Sequence, residues 1–184
     1  MHSIQKLMFY VSDIITTPPE EFFSPLEAKI FEAFSALGIL FQRVESDPGI
    51  TMEDCKAIGE GLGESIVKTV FLCNRQETAF YLYVTRDDKP FVTREFCSAL
   101  GIPRVSFASP EKLEELTGVK VGATTILSCI LPECGAVKLV MDREIANREY
   151  FACTDGRATC FVKIRTVDLL EKYIPHSGHS LCII

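Results

Sequence analysis

Apolar residues recur at helical spacing through Leu26, Ile30, Phe31, Phe34 and Leu37, which predicts an amphipathic helix. Its start is written in Ser24-Pro25-Leu26-Glu27: serine caps, proline takes the first helical position and glutamate closes a capping box. Gly38 ends it. Ile39 to Val44 then reads as a strand, and Thr51-Met52-Glu53-Asp54 opens a second helix with threonine capping. The Gly59 to Gly63 turn leads to Val67–Leu72, a strand-like run containing one lysine. Ala79 to Val84 is an aromatic and β-branched strand, reached through a polar turn around Asn74 to Glu77. Thr93 is expected to cap a short helix ending at Gly101, and Ser109-Pro110-Glu111 to start another that stops at Thr117-Gly118, with Arg104 to Phe107 extended between them. Ala123–Ile130, Ala136–Met141, Tyr150–Ala152 and Cys160–Ile164 are strand-like, and a last helix runs from Thr166 or Val167 to Tyr173, before Pro175 and an apolar tail.

Helices alternate with strands early and strands cluster late. That order predicts a mixed α/β (α+β) domain with helices packed around a mixed sheet, not a purely parallel doubly wound one. Residues 1–23 read as an N-terminal extension packing on a single domain of residues 24–184, because Pro18-Pro19 favours an extended connector there. A length of 184 residues suits one such domain with a sizeable core.

The formal net charge of −6 argues against the chain as a general electrostatic surface for DNA or RNA, so any polyanion needs a local basic patch. No apolar run is long enough to cross a bilayer. The first fifteen residues are broken by Lys6, Ser12 and Asp13 and carry no small-residue cleavage site. Eight cysteines occur, none in a C-x-x-C spacing and most among apolar residues, which points to free buried thiols in a reducing cytoplasm. Neither a metal nor a cofactor is expected.

Several common catalytic signatures are absent: G-x-x-x-x-G-K-[ST], G-x-S-x-G and H-E-x-x-H. The histidines, His2, His176 and His179, all lie near chain ends, which disfavours a histidine-based triad or a multi-histidine zinc site. Lys68 is the most informative residue. A buried, unpaired ammonium costs several kcal/mol, roughly, so either the strand ends at Lys68 or Lys68 lines a cavity that receives an anion. Next is the glycine-bounded loop Gly118 to Thr125, whose backbone N–H groups suit a carbonyl oxygen or phosphate, or which is simply a helix C-cap and turn. The polar loop Cys153 to Cys160 offers a carboxylate, a guanidinium and two hydroxyls, in a site or in an exposed hairpin turn. His176 and His179, three apart, suit either a metal or water.

Taken in order, several segments resemble the YbaK-like, prolyl-tRNA synthetase-associated editing domain, in particular its free-standing members. They are Thr51–Asp54, Lys68–Leu72, Phe80–Val84, Arg104–Ser109, Leu113–Gly122, Val137–Asp142, Lys163–Leu169 and Ser177–His179, covering roughly residues 25 to 184. The resemblance implies a partly barrel-like sheet and hydrolysis of mischarged amino acids from tRNA, often alanine from the proline tRNA. The expected partner is therefore a tRNA acceptor end carrying an amino acid. By this analogy Lys68 is the anion anchor, Gly122 a backbone oxyanion donor, and Thr124 and Thr125 pocket walls. Thr69, Ala123, Thr154, Asp155 and Thr159 complete the implied substrate site. Thr69 stands where the family has asparagine, and Gly122 to Ile126 replaces its Gly-Ser-Val-Thr-Pro loop. Thr154-Asp155 and Ala158-Thr159 replace its late His-Pro and Asn-Thr pairs. Asp155 is then expected to orient water or the α-amino group. Two readings follow: a trans-acting deacylase of altered specificity, or a homologue that binds an amino acid, aminoacyl-adenosine or protein partner without hydrolysis.

Overall fold

The computed structural model describes residues 8–184; residues 1–7 of the expected extension, His2 among them, lie outside the described residues. Helix α1 (Pro25–Leu37) starts and stops where its end signals place it. The Ser24 hydroxyl accepts the Glu27 N–H at 3.1 Å, and Gly38 closes the helix with φ 65°. The Glu27 carboxylate, however, accepts the Phe23 N–H and continues into the interior, so the capping box is not closed on Ser24 itself. Helix α2 (Met52–Leu62) does have the full reciprocal box between Thr51 and Asp54.

Five strands form one sheet in the order β4 (Val105–Phe107), β2 (Lys68–Asn74), β3 (Phe80–Thr85), β5 (Lys138–Met141) and β8 (Leu181–Ile183). β2 pairs antiparallel with β3 and β4, whereas β3–β5 and β5–β8 are parallel. The period-two alternation of strand side chains sorts this sheet's two faces. Phe71, Leu82, Val84, Leu139 and Met141 join the main core with α1, while Leu72, Tyr81, Tyr83 and Val140 pack with Phe96 and Cys97 of helix α3 (Thr93–Leu100). A second, antiparallel sheet places β7 (Cys160–Arg165) between β1 (Phe41–Glu45) and β6 (Tyr150–Thr154). Helix α2 covers it through Ile58 and Leu62, which meet Val44, Ala152 and Phe161.

The sheets are joined at one seam. Ile66 bridges Ala152 in parallel sense, and the Val67 N–H donates to the Ala152 carbonyl at 2.9 Å, one residue before β2 begins. The result is the mixed α/β arrangement expected from the element order, partly barrel-like as the resemblance implied, with both sheets wrapped about one core. Residues 10–17 run along β1: Ile15 exchanges backbone hydrogen bonds with Arg43 at 2.8 Å, and Arg43 donates from Nε to the Thr17 carbonyl at 2.6 Å.

Several local expectations differ from the structure; Gly59 and Gly61 belong to α2, not to a turn, and only Gly63 caps its end. Ala123–Ile130 is not a strand. It turns into a 3-10 helix at Ile126–Ile130, capped by Thr125, whose hydroxyl accepts the Leu127 N–H at 3.2 Å. An apolar run buried on every side carries no period that separates strand from helix. Thr93 is the first residue of α3 and Val92 stands at the cap position, making no side-chain cap bond. The apolar tail is strand β8, and the last helix contains a π-helical stretch at Leu169–Tyr173 before continuing through Ile174–His176. Helix α4 (Pro110–Thr117) follows its Ser109 cap as read.

Candidate functional site

A cleft of about 260 Å³ opens where the two sheets meet. Its walls come from the N-terminal end of α2 (Gly49 to Met52 and Cys55), the seam and start of β2 (Ile66 to Thr69), Asp87 after β3, Gly122 and Thr124, and Thr154 with Phe161 from the second sheet. Of the residues singled out from the sequence, the fold brings Lys68, Thr69, Gly122, Thr124 and Thr154 together here.

Lys68 is the first residue of β2 and is half-buried, so it stands at a strand boundary and also on the wall of the cleft. Its ammonium donates to the Lys89 carbonyl. That residue is itself fixed, because the Lys89 ammonium pairs with Asp142. Burial pushes the Asp142 carboxyl up, but the bonds from Lys89, the Glu144 N–H and Thr85 outweigh it and hold the group below its usual range. The Lys68 charge is thus held at the cleft by a carbonyl dipole, and among the described residues no carboxylate neutralises it, leaving it able to attract an anion.

Gly122 has φ 91°, a conformation that favours glycine, and a Cβ there would meet nothing within 4 Å. Backbone conformation, not crowding, therefore calls for glycine, and the space above its peptide is open to a ligand. Among the described residues no backbone carbonyl accepts the Gly122 N–H, whereas the neighbouring Ala123 N–H is used by Lys120 at 3.0 Å. The Thr69 hydroxyl oxygen is buried, with no hydrogen-bond partner among the described residues. Thr154 is a different case: its hydroxyl donates to the Arg157 carbonyl at 2.7 Å and accepts the Gly156 N–H at 3.1 Å, so it shapes the turn and offers the cleft a wall.

Ala123, Thr125, Asp155 and Thr159 do not line the cleft. Ala123 belongs to the main core, and Thr125 is fully buried, spent on its cap and on Cys153 at 3.6 Å. The Thr159 carbonyl accepts the Ser46 N–H at 3.0 Å, tying the β6–β7 loop to the end of β1. Asp155, expected to orient water, is 0% exposed. It lies with Glu27 and Cys160, their ligand atoms within 4.8 Å of one another, and Arg157 reaches Glu27 at 3.3 Å. Burial, reinforced by the neighbouring Glu27 carboxyl, pushes the Asp155 carboxyl well above the usual carboxylate range. His179 is likewise engaged, by Ser177 and the Cys134 carbonyl at 3.0 Å each.

Sequence reasoning missed Cys55, Asp87 and the apolar wall of Ile50, Ile66 and Phe161. Asp87 had a usable signal. Once β2 and β3 are a hairpin, Lys68 pairs with Thr85, and the polar turn that follows Thr85 must fall beside the start of β2.

Fold and cleft together define a mixed α/β domain that presents a lysine and a free glycine peptide at the seam of two sheets. The aminoacyl-tRNA editing domain family matches residues 47–172, more than half of the chain, and the protein belongs to this YbaK-like editing family. Prolyl-tRNA editing protein ProX of Acetoanaerobium sticklandii is 26% identical over 144 residues, spanning 78% of this chain and 87% of that protein. Among solved structures, the hypothetical protein APE2540 superposes with a TM-score of 0.65 at 24% identity, covering 84% of this chain and 97% of its own. A protein described as a candidate trans-editing enzyme for prolyl tRNA synthetase superposes with a TM-score of 0.64 at 16% identity, covering 88% and 98%. Among the described residues no helix is long and apolar enough to cross a membrane.

Proposed function

We propose that this chain is a trans-acting aminoacyl-tRNA deacylase that removes a small mischarged amino acid such as alanine, with the proline tRNA as the first candidate. What carries the reading is the juxtaposition in one cleft of the Lys68 ammonium, anchored on the Lys89 carbonyl, and the Gly122 peptide. Membership of the editing family and the name of the ProX relative support the substrate class.

In this reading Lys68 holds a phosphate of the terminal nucleotide and the Gly122 N–H receives the ester carbonyl oxygen. Water attacks the carbonyl carbon, and negative charge grows on the oxygen facing Gly122. The bond to the ribose oxygen then breaks, and the proton lost by the attacking water passes to that oxygen. The products are the free amino acid and an intact tRNA hydroxyl. An aminoacyl ester is already activated, so fixing water and substrate and stabilising the oxyanion can supply most of the rate. The vicinal ribose hydroxyl is available to help activate the water.

The second reading, ligand binding without turnover, is favoured by one observation: the carboxylate of the altered β6–β7 loop, Asp155, is buried away from the cleft. A deacylation panel across mischarged tRNAs, starting with alanyl-tRNA for proline, separates the two. Release of amino acid that falls about 100-fold in Lys68→Ala is expected. Absence of release from every charged tRNA, with aminoacyl-adenosine analogues still binding in a salt-dependent way, establishes the binder instead.

A further inference from the structure

Asp87 is the only carboxylate among the described residues that line the cleft. It sits in a loop whose neighbours are all committed. Arg86 holds Asp88 at 2.8 Å and Glu144 at 2.9 Å, Lys89 holds Asp142, and the Lys89 carbonyl holds Lys68. Asp87 takes no cation among the described residues; one of its oxygens accepts the Asp88 N–H at 3.0 Å, which orients the side chain. The carboxylate is felt inside the cleft: the half-buried Cys55 thiol on α2 is pushed up by burial first, then by Asp54 and Asp87. The cleft is therefore bipolar, with a fixed cation at Lys68 and an uncommitted anion at Asp87, and no ion pair joins them.

An aminoacyl ester has the matching polarity. Its nucleotide is anionic, its carbonyl is a hydrogen-bond acceptor, and its α-amino group is a cation when protonated. We infer that Asp87 receives the α-ammonium group of the bound aminoacyl ester and so selects free aminoacyl esters over N-acylated ones, an inference that rests on the deacylase reading above. With Lys68 on the phosphate and Gly122 at the carbonyl oxygen, three points fix the ester in one orientation. An N-acyl group removes the charge from the nitrogen and places bulk against the carboxylate.

The test compares wild type with Asp87→Asn on alanyl-tRNA and N-acetyl-alanyl-tRNA, with the thermal midpoint of both proteins as the folding control. Wild type is expected to prefer the free amine. Asp87→Asn is expected to lose about 10- to 100-fold in kcat/KM on alanyl-tRNA, the range for one hydrogen bond to a charged group, and with it most of that preference. If wild type is active and its preference survives in the variant, the assignment of Asp87 is overturned while the deacylase reading stands. If wild type releases nothing, binding of 3′-alanylamino-adenosine and its N-acetyl form, which carry an amide in place of the ester, decides the question. Weaker binding of the free amine alone in Asp87→Asn upholds Asp87 as the ammonium acceptor although hydrolysis has failed. Equal binding by the two proteins, or no binding by wild type, overturns it.

Discussion

Thr154 and Asp155 are adjacent in sequence, yet one borders the cleft and the other is sealed under α1 with Glu27, Cys160 and Arg157. The two regions use the same chemical types in different ways. In the cleft, Lys68 and Asp87 keep their charges apart and within reach of solvent. In the buried cluster, two carboxyl groups at 0% exposure face each other and a guanidinium stands beside them. A carboxylate without water must be paired or protonated. The buried set consequently spends its chemistry on holding α1 to the β6–β7 loop, and the cleft residues keep theirs for a ligand. Gly156 reflects the same constraint: it has φ 98°, and a Cβ there would approach Leu26 to 2.9 Å.

The largest expected effect tests the structural side of this contrast. Glu27→Ala removes the acceptor of the Phe23 N–H, the neighbour of Asp155 and the partner of Arg157 together. Breaking a buried ionic pair of this kind costs about 3–5 kcal/mol. Urea unfolding should show that loss. A loss below about 1 kcal/mol would mean the cluster is not a structural element. Lys68→Ala should behave in the opposite sense: deacylation falls about 100-fold while the unfolding midpoint hardly moves, since the half-buried lysine gives up one bond to a backbone carbonyl. If Lys68→Ala unfolds the protein, the division between the two regions fails at its most important residue.

The buried pair also has a pH signature. Asp155 binds its proton more tightly folded than unfolded, so its contribution to stability is fully present below its unfolded value of about 3.8. It is lost as pH rises through the higher folded value, because ionisation then leaves a buried charge without water beside Glu27, which Cys160 and Arg157 only partly offset. Asp155→Asn removes the titrating group. Unfolding measured from pH 4 upward should lose part of its decline in the variant, and an unchanged profile would rule Asp155 out as its source.

Much of the fold was legible because its signals are local. Ser24-Pro25, Thr51 with Asp54, and the glycine stops at Gly38, Gly101 and Gly118 mark helix ends by chemistry that involves only neighbouring residues. The aromatic and β-branched run of β3 marked it as a strand without any knowledge of what covers it. The site was half legible. Lys68 stood out because a cation in an apolar strand breaks a pattern, and Gly122 because a glycine-bounded loop follows a helix. Asp155 and Thr125 were misplaced because polarity in a loop says nothing of the direction in which it faces. Asp155 turns inward because Glu27, 128 positions earlier by residue number, waits there on α1 with Arg157 nearby. Asp87 was overlooked because it matters only once the β2–β3 register is known.

The smallest effect sharpens the comparison most, because it falls on a residue that belongs to both descriptions. Thr69 lines the cleft, yet its hydroxyl oxygen is buried and has no partner among the described residues, as if it were an error of the interior. An unmet hydroxyl of this kind costs folding about 1 kcal/mol or more, whereas valine keeps the branched shape and carries no polar atom. If the hydroxyl serves only the fold, Thr69→Val should raise stability by up to about 1 kcal/mol and leave deacylation unchanged. If it serves a ligand, the same substitution should raise stability and lower kcat/KM by several-fold, because the bond it was kept for is gone. The second outcome is expected. Strand position already favours a β-branched residue here, and valine would meet that need without leaving an oxygen unpaired. Parallel measurements of urea midpoint and turnover on this one variant separate the cases, and a fall in both would show that the oxygen has a structural partner after all.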